Sequence, residues 1–231
     1  MRIVAMADTH LFHEDLVVPP GDVLVHAGDL CRCGDLDELR EAAAWLRGFP
    51  HPHKIVVAGN HDWALVNEPV EARALLAEAG AIYLEDSGVD LLGLRFYGSP
   101  WQPAYNDWAF NLPRGEALAA RWRLIPSGAV DVLITHGPPA GVGDGQDHGA
   151  GLPGRGGCAD LRRRVREVRP RLHLFGHIHH DGGLWQEEGT TFVNVTTWEC
   201  ERAPTVLDLD PGSGALFPVH IPPDGRSERM G

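Results

Sequence analysis

The chain of 231 residues is 43% hydrophobic and 23% charged, a soluble globular balance that argues against disordered and fibrous classes. Asp and Glu number 32 against 20 Lys and Arg, a formal net charge of -12, which argues against a general duplex-DNA binder with its broad basic footprint. Phosphorylated substrates stay open, because bound divalent cations reverse the local charge.

In chain order, an apolar run at 3–7 reads as a strand and ends on Asp8-Thr9-His10. A second run at 23–27 is followed by Gly28-Asp29. Asp35 with Glu38 three residues on forms a capping box that opens a helix stopping near Gly48. The third run, 55–58, leads into Gly59-Asn60-His61-Asp62, and Pro69 opens a helix that ends at Gly80. A hairpin is expected around Gly93, from 89–92 to 94–97, and a helix over 114–124. The fourth run, 132–135, meets His136. A Gly-rich loop covers 137–157, a helix spans 159–168, and the fifth run, 172–175, meets Gly176-His177-Ile178-His179. A second hairpin turns at Glu188-Gly189, and 206–209 is the final strand. These runs are short and do not alternate, as in strands covered on both faces, so the fold class is α/β. Residues 1–221 read as a single domain and 222–231 as a loose tail.

Cys31, Cys33, Cys158 and Cys200 form no C-x-x-C pair and read as ordinary reduced thiols. No apolar run approaches the roughly 20 residues of a bilayer span, and no signal peptide is visible, so a cytoplasmic protein without a membrane partner is expected.

Ligand sites of α/β sheets gather at the carboxyl ends of strands. Here five such ends offer Asp8, His10, Asp29, Asn60, His136, His177 and His179, with His61 beside them. Carboxylate, imidazole and amide donors without thiolate suit Mn, Fe or Zn. Such a set exceeds the needs of one ion, and two ions sharing a carboxylate is a recurrent arrangement for phosphoester hydrolysis.

The series from Asp8-x-His10 to Gly176-His177-x-His179 resembles the calcineurin-like metallophosphoesterase superfamily. Tyr97-Gly98-Ser99-Pro100-Trp101-Gln102-Pro103, Phe110-Asn111-Leu112-Pro113-Arg114-Gly115 and Thr135-His136-Gly137-Pro138-Pro139 are similar to its metallophosphoesterase-domain-containing subgroup, relatives of class III cyclic nucleotide phosphodiesterases. The resemblance implies a four-layer αββα sandwich with a dimetal site at one rim. Asp8, His10 and His179 would hold one ion, Asn60, His136 and His177 the other, and Asp29 would bridge them. Mn is the first choice of metal, with Fe or Zn as alternatives. A hydroxide shared by the ions would attack phosphorus, Asn60 would steady the phosphoryl oxygens, and His61 would protonate the leaving group. Asp62 would either orient His61 or cap the turn. Animal members of the subgroup can carry Gly where this chain has His177, so a fuller second metal site is implied here. The expected function is a phosphodiesterase for small diesters, cyclic nucleotides among them. A phosphomonoesterase or protein phosphatase with the same site, and a nucleotide-binding or scaffolding protein with weak residual catalysis, are the alternatives.

Other features weigh less. His26 and His173 read as core histidines, and His51, His53, His148 and His220 as surface residues. His13 and His180 lie close enough in sequence to touch substrate. The run Arg162-Arg163-Arg164, with Arg166, Arg169 and Arg171, reads as a solvated helix face. Trp101, Tyr105, Trp108 and Phe110 are open between core plugs and a platform for a nucleobase. Oligomeric state is not readable.

Overall fold

The computed structural model describes residues 1–145 and 156–222. The first half of the chain runs β1 (Arg2–Met6), β2 (Val23–His26), α1 (Leu36–Arg47), β3 (His53–Val56), α2 (Ala64–Asn67), α3 (Pro69–Glu78) and β4 (Ala81–Tyr83). Then follow β5 (Ser87–Leu91), β6 (Leu94–Ser99), β7 (Gln102–Pro103), β8 (Asn111–Leu112), α4 (Glu116–Trp122), β9 (Val132–Thr135), α5 (Ala159–Val168) and β10 (Leu172–Phe175). The chain closes with β11 (Gly183–Glu187), β12 (Thr190–Asn194), β13 (Thr205–Leu209) and β14 (Leu216–His220).

Two six-stranded sheets result, ordered β14-β13-β1-β2-β3-β4 and β11-β12-β10-β9-β6-β5. Within them β1 through β4 pair in parallel, as do β6, β9, β10 and β12, so their carboxyl ends share one rim. The absence of alternation in the strands now has its cause. Ile3, Ala5, Val25 and Ile55 meet Phe96, Ile134, Leu174 and Val193 between the sheets. The intervening Val4, Met6, Leu24 and Val56 face Leu39, Leu46 and Leu76 of the first helices, while Leu133, Phe175 and Phe192 face Trp122, Leu161 and Val165 of the second pair. The layers are therefore helix, sheet, sheet, helix, the expected αββα sandwich.

The capping signal at Asp35 does more than start a helix. Asp35 accepts the Glu38 N–H at 2.9 Å, but the Glu38 carboxylate reaches past the cap to the N–H groups of Arg32, Cys33 and Gly34. It thereby fixes the loop that leads from the second strand end into α1.

The structure departs from expectation in a few places. β4, α2 and the β7–β8 pair have no distinct periodicity, and β14 follows the strand expected to be last. β14 carries Pro218 and exposed Phe217 and Val219, and it tolerates a proline because it lies at a sheet edge. His51, expected at the surface, is buried, with Nε2 3.0 Å from the Pro19 carbonyl. Pro222 is also buried rather than loose, its carbonyl accepting from Arg202. The remainder of the expected tail, the middle of the Gly-rich loop and His148 lie outside the described residues. His26 and His173 are core histidines as read, both fully buried.

His173 Nε2 lies 2.8 Å from the Thr135 hydroxyl, which itself donates to the Gly137 carbonyl, so Nε2 carries the proton. Burial, helped by Arg162, lowers the His173 pKa from 6.5 to about 3. The unfolded chain therefore takes up a proton that the folded one refuses, and the stability held above pH 6.5 is lost as pH falls toward 3. At pH 5 the loss is about 2 kcal/mol for this residue. Urea unfolding at pH 7 and pH 5 checks this: His173→Leu is expected to shrink the difference between the two by about that amount.

Candidate metal centre

Five of the parallel strands, β1, β2, β3, β9 and β10, lead into the loops that bear the ligand residues. Asp8, His10, Asp29 and His177 all have positive φ, between 46° and 70°, a conformation that costs roughly 1–2 kcal/mol for a residue with a side chain. Tight loop-to-loop bonds sustain it. Asp8 N–H donates to the Gly28 carbonyl at 3.0 Å, and His10 N–H to that of Asp29 at 3.1 Å. The loops can approach this closely only because Gly28 and Gly59 lack side chains. A Cβ on Gly59 would lie 2.2 Å from Asp29 Oδ1, and one on Gly28 2.4 Å from His136 Nδ1.

Two groups of donors result, and Asp29 belongs to both. Asp8, His10, Asp29 and His179 bring ligand atoms within 4.8 Å of one another, as do Asp29, His136 and His177. Asp29 Oδ2 lies 3.7 Å from His10 Nε2 and 3.3 Å from His136 Nε2, while Asp8 Oδ1 is 3.8 Å from His179 Nε2. Asn60 Oδ1 approaches His136 Nε2 at 3.0 Å. All seven expected ligands are thus brought together. Asp8 and Asp29 are buried, and the Asp8 carboxylate also receives the His177 N–H, at 3.0 and 3.1 Å to its two oxygens.

The donor set suits divalent cations. His10 Nδ1 faces the Cys31 carbonyl and His136 Nδ1 that of Ala27, each at 3.0 Å. A carbonyl only accepts, so each Nδ1 is the protonated nitrogen and each Nε2 points its own site inward, the second-sphere arrangement that prepares a histidine for a metal. Burial works against the charge of Asp29, but His136, His10 and His61 overcome it and hold the carboxyl well below the usual range. Burial likewise opposes protonation of His136, yet Asp29 and Asp8 prevail and lift it to about 9. A cation on Nε2 would take the place of that proton. His177 is pushed down to about 4, by burial first and then by His136, which suits a neutral ligand.

His61 stands beside the first group. Its ring meets His10 edge-on at 4.6 Å and lies under Trp108 at 4.0 Å between centroids, while Nδ1 faces the Arg32 carbonyl. That carbonyl belongs to the loop fixed by Glu38, which carries the capping signal through to the site. The orienting role weighed for Asp62 is not what the geometry shows. Asp62 instead accepts four backbone N–H groups, from Gly59, Asp29, Leu30 and Cys31, at 2.7–3.1 Å. Because its oxygens are turned toward the backbone, the turn-capping alternative describes it. Burial and the charge of Asp29 nonetheless raise its pKa to about 6.

His13 is not at the centre: it is buried and stacked on Trp45 at 4.4 Å. His180 is exposed beyond His179. Among the aromatics left open, Trp101 and Phe110 pack against each other and the core, whereas Trp108 covers His61 and Tyr105 is 51% exposed. Trp108 is placed by its neighbour, since Ala109 N–H donates to the Asn60 carbonyl at 3.0 Å. Nothing in the sequence marks the carbonyls of Ala27, Cys31 and Arg32 as histidine partners, because any residue supplies a carbonyl.

A family model for calcineurin-like phosphoesterases matches residues 1–181. The chain belongs to this family. It is thereby placed among phosphoester hydrolases that use divalent metal ions. Metallophosphoesterase domain-containing protein 1 of Homo sapiens is 40% identical over 236 residues, covering 90% of this chain and 71% of the relative. The UPF0046 protein C25E10.12 of Caenorhabditis elegans is 37% identical over 243 residues, covering 96% and 82%. The solved structure of TT1561 from Thermus thermophilus superposes with a TM-score of 0.60 at 15% identity, covering 94% of this chain and 96% of that one, a likeness of fold. Among the described residues, no helix of this calcineurin-like protein is long and apolar enough to cross a membrane.

Asp62→Asn replaces an acceptor oxygen by a donor facing backbone N–H groups. Thermal and urea unfolding are expected to show a loss of about 2–3 kcal/mol. Metal retention should fall in parallel, because the same amides set the position of Asp29.

Proposed function

We propose that the protein is a dinuclear-metal phosphodiesterase acting on small phosphodiesters, cyclic nucleotides among them. The observation that carries this reading is the pair of donor groups sharing the buried Asp29 carboxylate. Asp8, His10 and His179 would hold one ion, Asn60, His136 and His177 the other, and Asp29 would serve both, with Mn the preferred metal over Fe and Zn. A bound pair of such ions would supply Lewis acidity and a water of lowered pKa, the usual resources of two-metal hydrolysis.

The chain's own residues do the rest. Asn60, with Oδ1 turned inward, has its amide N–H₂ for a phosphoryl oxygen. His61 is not among the clustered donors, and its Nδ1 proton is committed to the Arg32 carbonyl, which leaves Nε2 to hold and deliver a proton to the departing oxygen. Trp108 and His10 restrict the ring to that orientation. The buried strand-end loops exclude water from the base of the site, where Asp8, Asp29 and His136 are almost fully enclosed. The preference for diesters rests on the subgroup similarity of 97–103, 110–115 and 135–139.

Purified protein given Mn is expected to hydrolyse bis-p-nitrophenyl phosphate faster than p-nitrophenyl phosphate. The reverse order would make it a monoesterase with the same centre. His61→Ala should lower kcat by about 10²–10⁴ while elemental analysis finds the metal content unchanged. Asp29→Asn should lose metal and turnover together. In Trp108→Leu, the expected defect is in kcat, with KM little altered, as for a group that orients the acid without holding substrate.

A further inference from the structure

His61 is held by contacts of two kinds. Trp108 and His10 confine the plane of its ring, but rings alone do not tell one edge of an imidazole from the other. The Arg32 carbonyl makes that distinction, since only the edge that bears Nδ1–H donates to it. Residues 31–34 belong to no helix or strand, so the position of this carbonyl depends on what the loop is tied to. Glu38 Oε2 accepts the N–H groups of Arg32, Cys33 and Gly34 at 2.9, 2.7 and 2.8 Å. Arg32 Nε donates to the His10 carbonyl at 2.8 Å. Gly34, at φ 82°, lies against the His61–Trp63 backbone, where a Cβ would run into the His61 carbonyl. Its own carbonyl accepts the Ala64 N–H.

We infer that Glu38 is a positioning residue for the reaction: through the Arg32 carbonyl it fixes which nitrogen of His61 is left to carry the proton to the departing oxygen. This deepens the phosphodiesterase reading and rests on it. The decisive unit is the peptide between Arg32 and Cys33. It is planar and rigid, and its C=O and N–H point in opposite directions. Glu38 holds the N–H end and His61 Nδ1 meets the C=O end, so the carboxylate and the imidazole grip one plate from two sides. The grip has a firm base. Glu38 stands in the first turn of α1, whose Leu39, Ala42, Ala43 and Leu46 are buried against the first sheet. Asp35, by contrast, serves the helix itself through the Glu38 N–H.

A misaimed acid matters most when the leaving group needs its proton. Methyl phenyl phosphate and methyl p-nitrophenyl phosphate keep the same methyl ester and expel a poorer and a better phenolate, which separates aim from stability. In Mn-loaded protein, Glu38→Ala is expected to lower kcat by about 10²-fold for the phenyl diester and about tenfold for the p-nitrophenyl diester. KM and metal content should stay unchanged. Glu38→Gln keeps an oxygen for the three N–H groups and should hold kcat within about threefold of wild type. Asp35→Ala removes the helix cap alone, and should unfold at lower urea while keeping the wild-type ratio between the diesters. An equal loss on both diesters, no loss in Glu38→Ala, or the same change of ratio in Asp35→Ala overturns the assignment. Nitrogen-15 NMR of the His61 ring adds a readout without substrate, in Zn-loaded protein at mildly alkaline pH. Wild type and Glu38→Gln should show the proton on Nδ1, and Glu38→Ala a mixture of tautomers. Ring signals identical in all three also overturn it. If wild type turns over neither diester, the phosphodiesterase reading fails by itself, and the ring signals still decide whether Glu38 positions His61.

Discussion

The metal centre depends on one buried carboxylate that never faces it. Asp62 gathers the N–H groups of Gly59 and of Asp29 through Cys31, and so binds the loop after β3 to the loop after β2. Without it, four backbone N–H groups would be buried without this acceptor, each costing about 1–3 kcal/mol in uncompensated desolvation. With it, Asp29 is set where its two oxygens serve different partners: Oδ1 takes the His61 N–H at 2.8 Å, and Oδ2 faces His10 and His136. The left-handed backbone of Asp29 and the missing side chains of Gly28 and Gly59 are consequences of forcing the loops that close.

Charge follows the same plan. Asp8, Asp29 and Asp62 are all almost fully buried, close together in a chain already rich in acid. Uncompensated, such a group would resist ionisation, and the raised pKa of Asp62 shows that pressure. Imidazoles around Asp29 relieve it, and divalent ions would relieve it further. Cations are thus an expected part of the charge balance of this rim, and the same histidines that neutralise the carboxylates present ring nitrogens to an ion.

Much of this was legible in the sequence because strand ends punctuate it. Apolar runs stopping at Asp8, Asp29, Asn60, His136 and His177 told which residues converge, since parallel strands place their carboxyl ends together. The αββα layering was readable by resemblance, and the two-sided burial of Val4 and Ala5 explains why no alternation appeared. What escaped was set by backbone geometry. Asp62 adjoins His61 in sequence, yet its side chain leaves in another direction, toward amides. His61 is oriented instead by a carbonyl, and His13, close to His10 in sequence, is drawn away to stack on Trp45. His51 and Pro222 looked like surface residues by composition, but long-range partners bury them.

The order in which the strands occur along the chain has its own consequence. β1, which leads to Asp8, lies between β2 and β13, and β10, which leads to His177, lies between β9 and β12. Both β12 and β13 come after residue 181, where the family match stops. The connection between them is braced on the first strand end, with Thr197 N–H on the Ala7 carbonyl and Glu199 N–H on that of Asp8. Every ligand has therefore been synthesised before the segment that buttresses Asp8 leaves the ribosome. A chain that stops after His179 would carry every ligand yet lack the two backbone bonds that brace the first strand end.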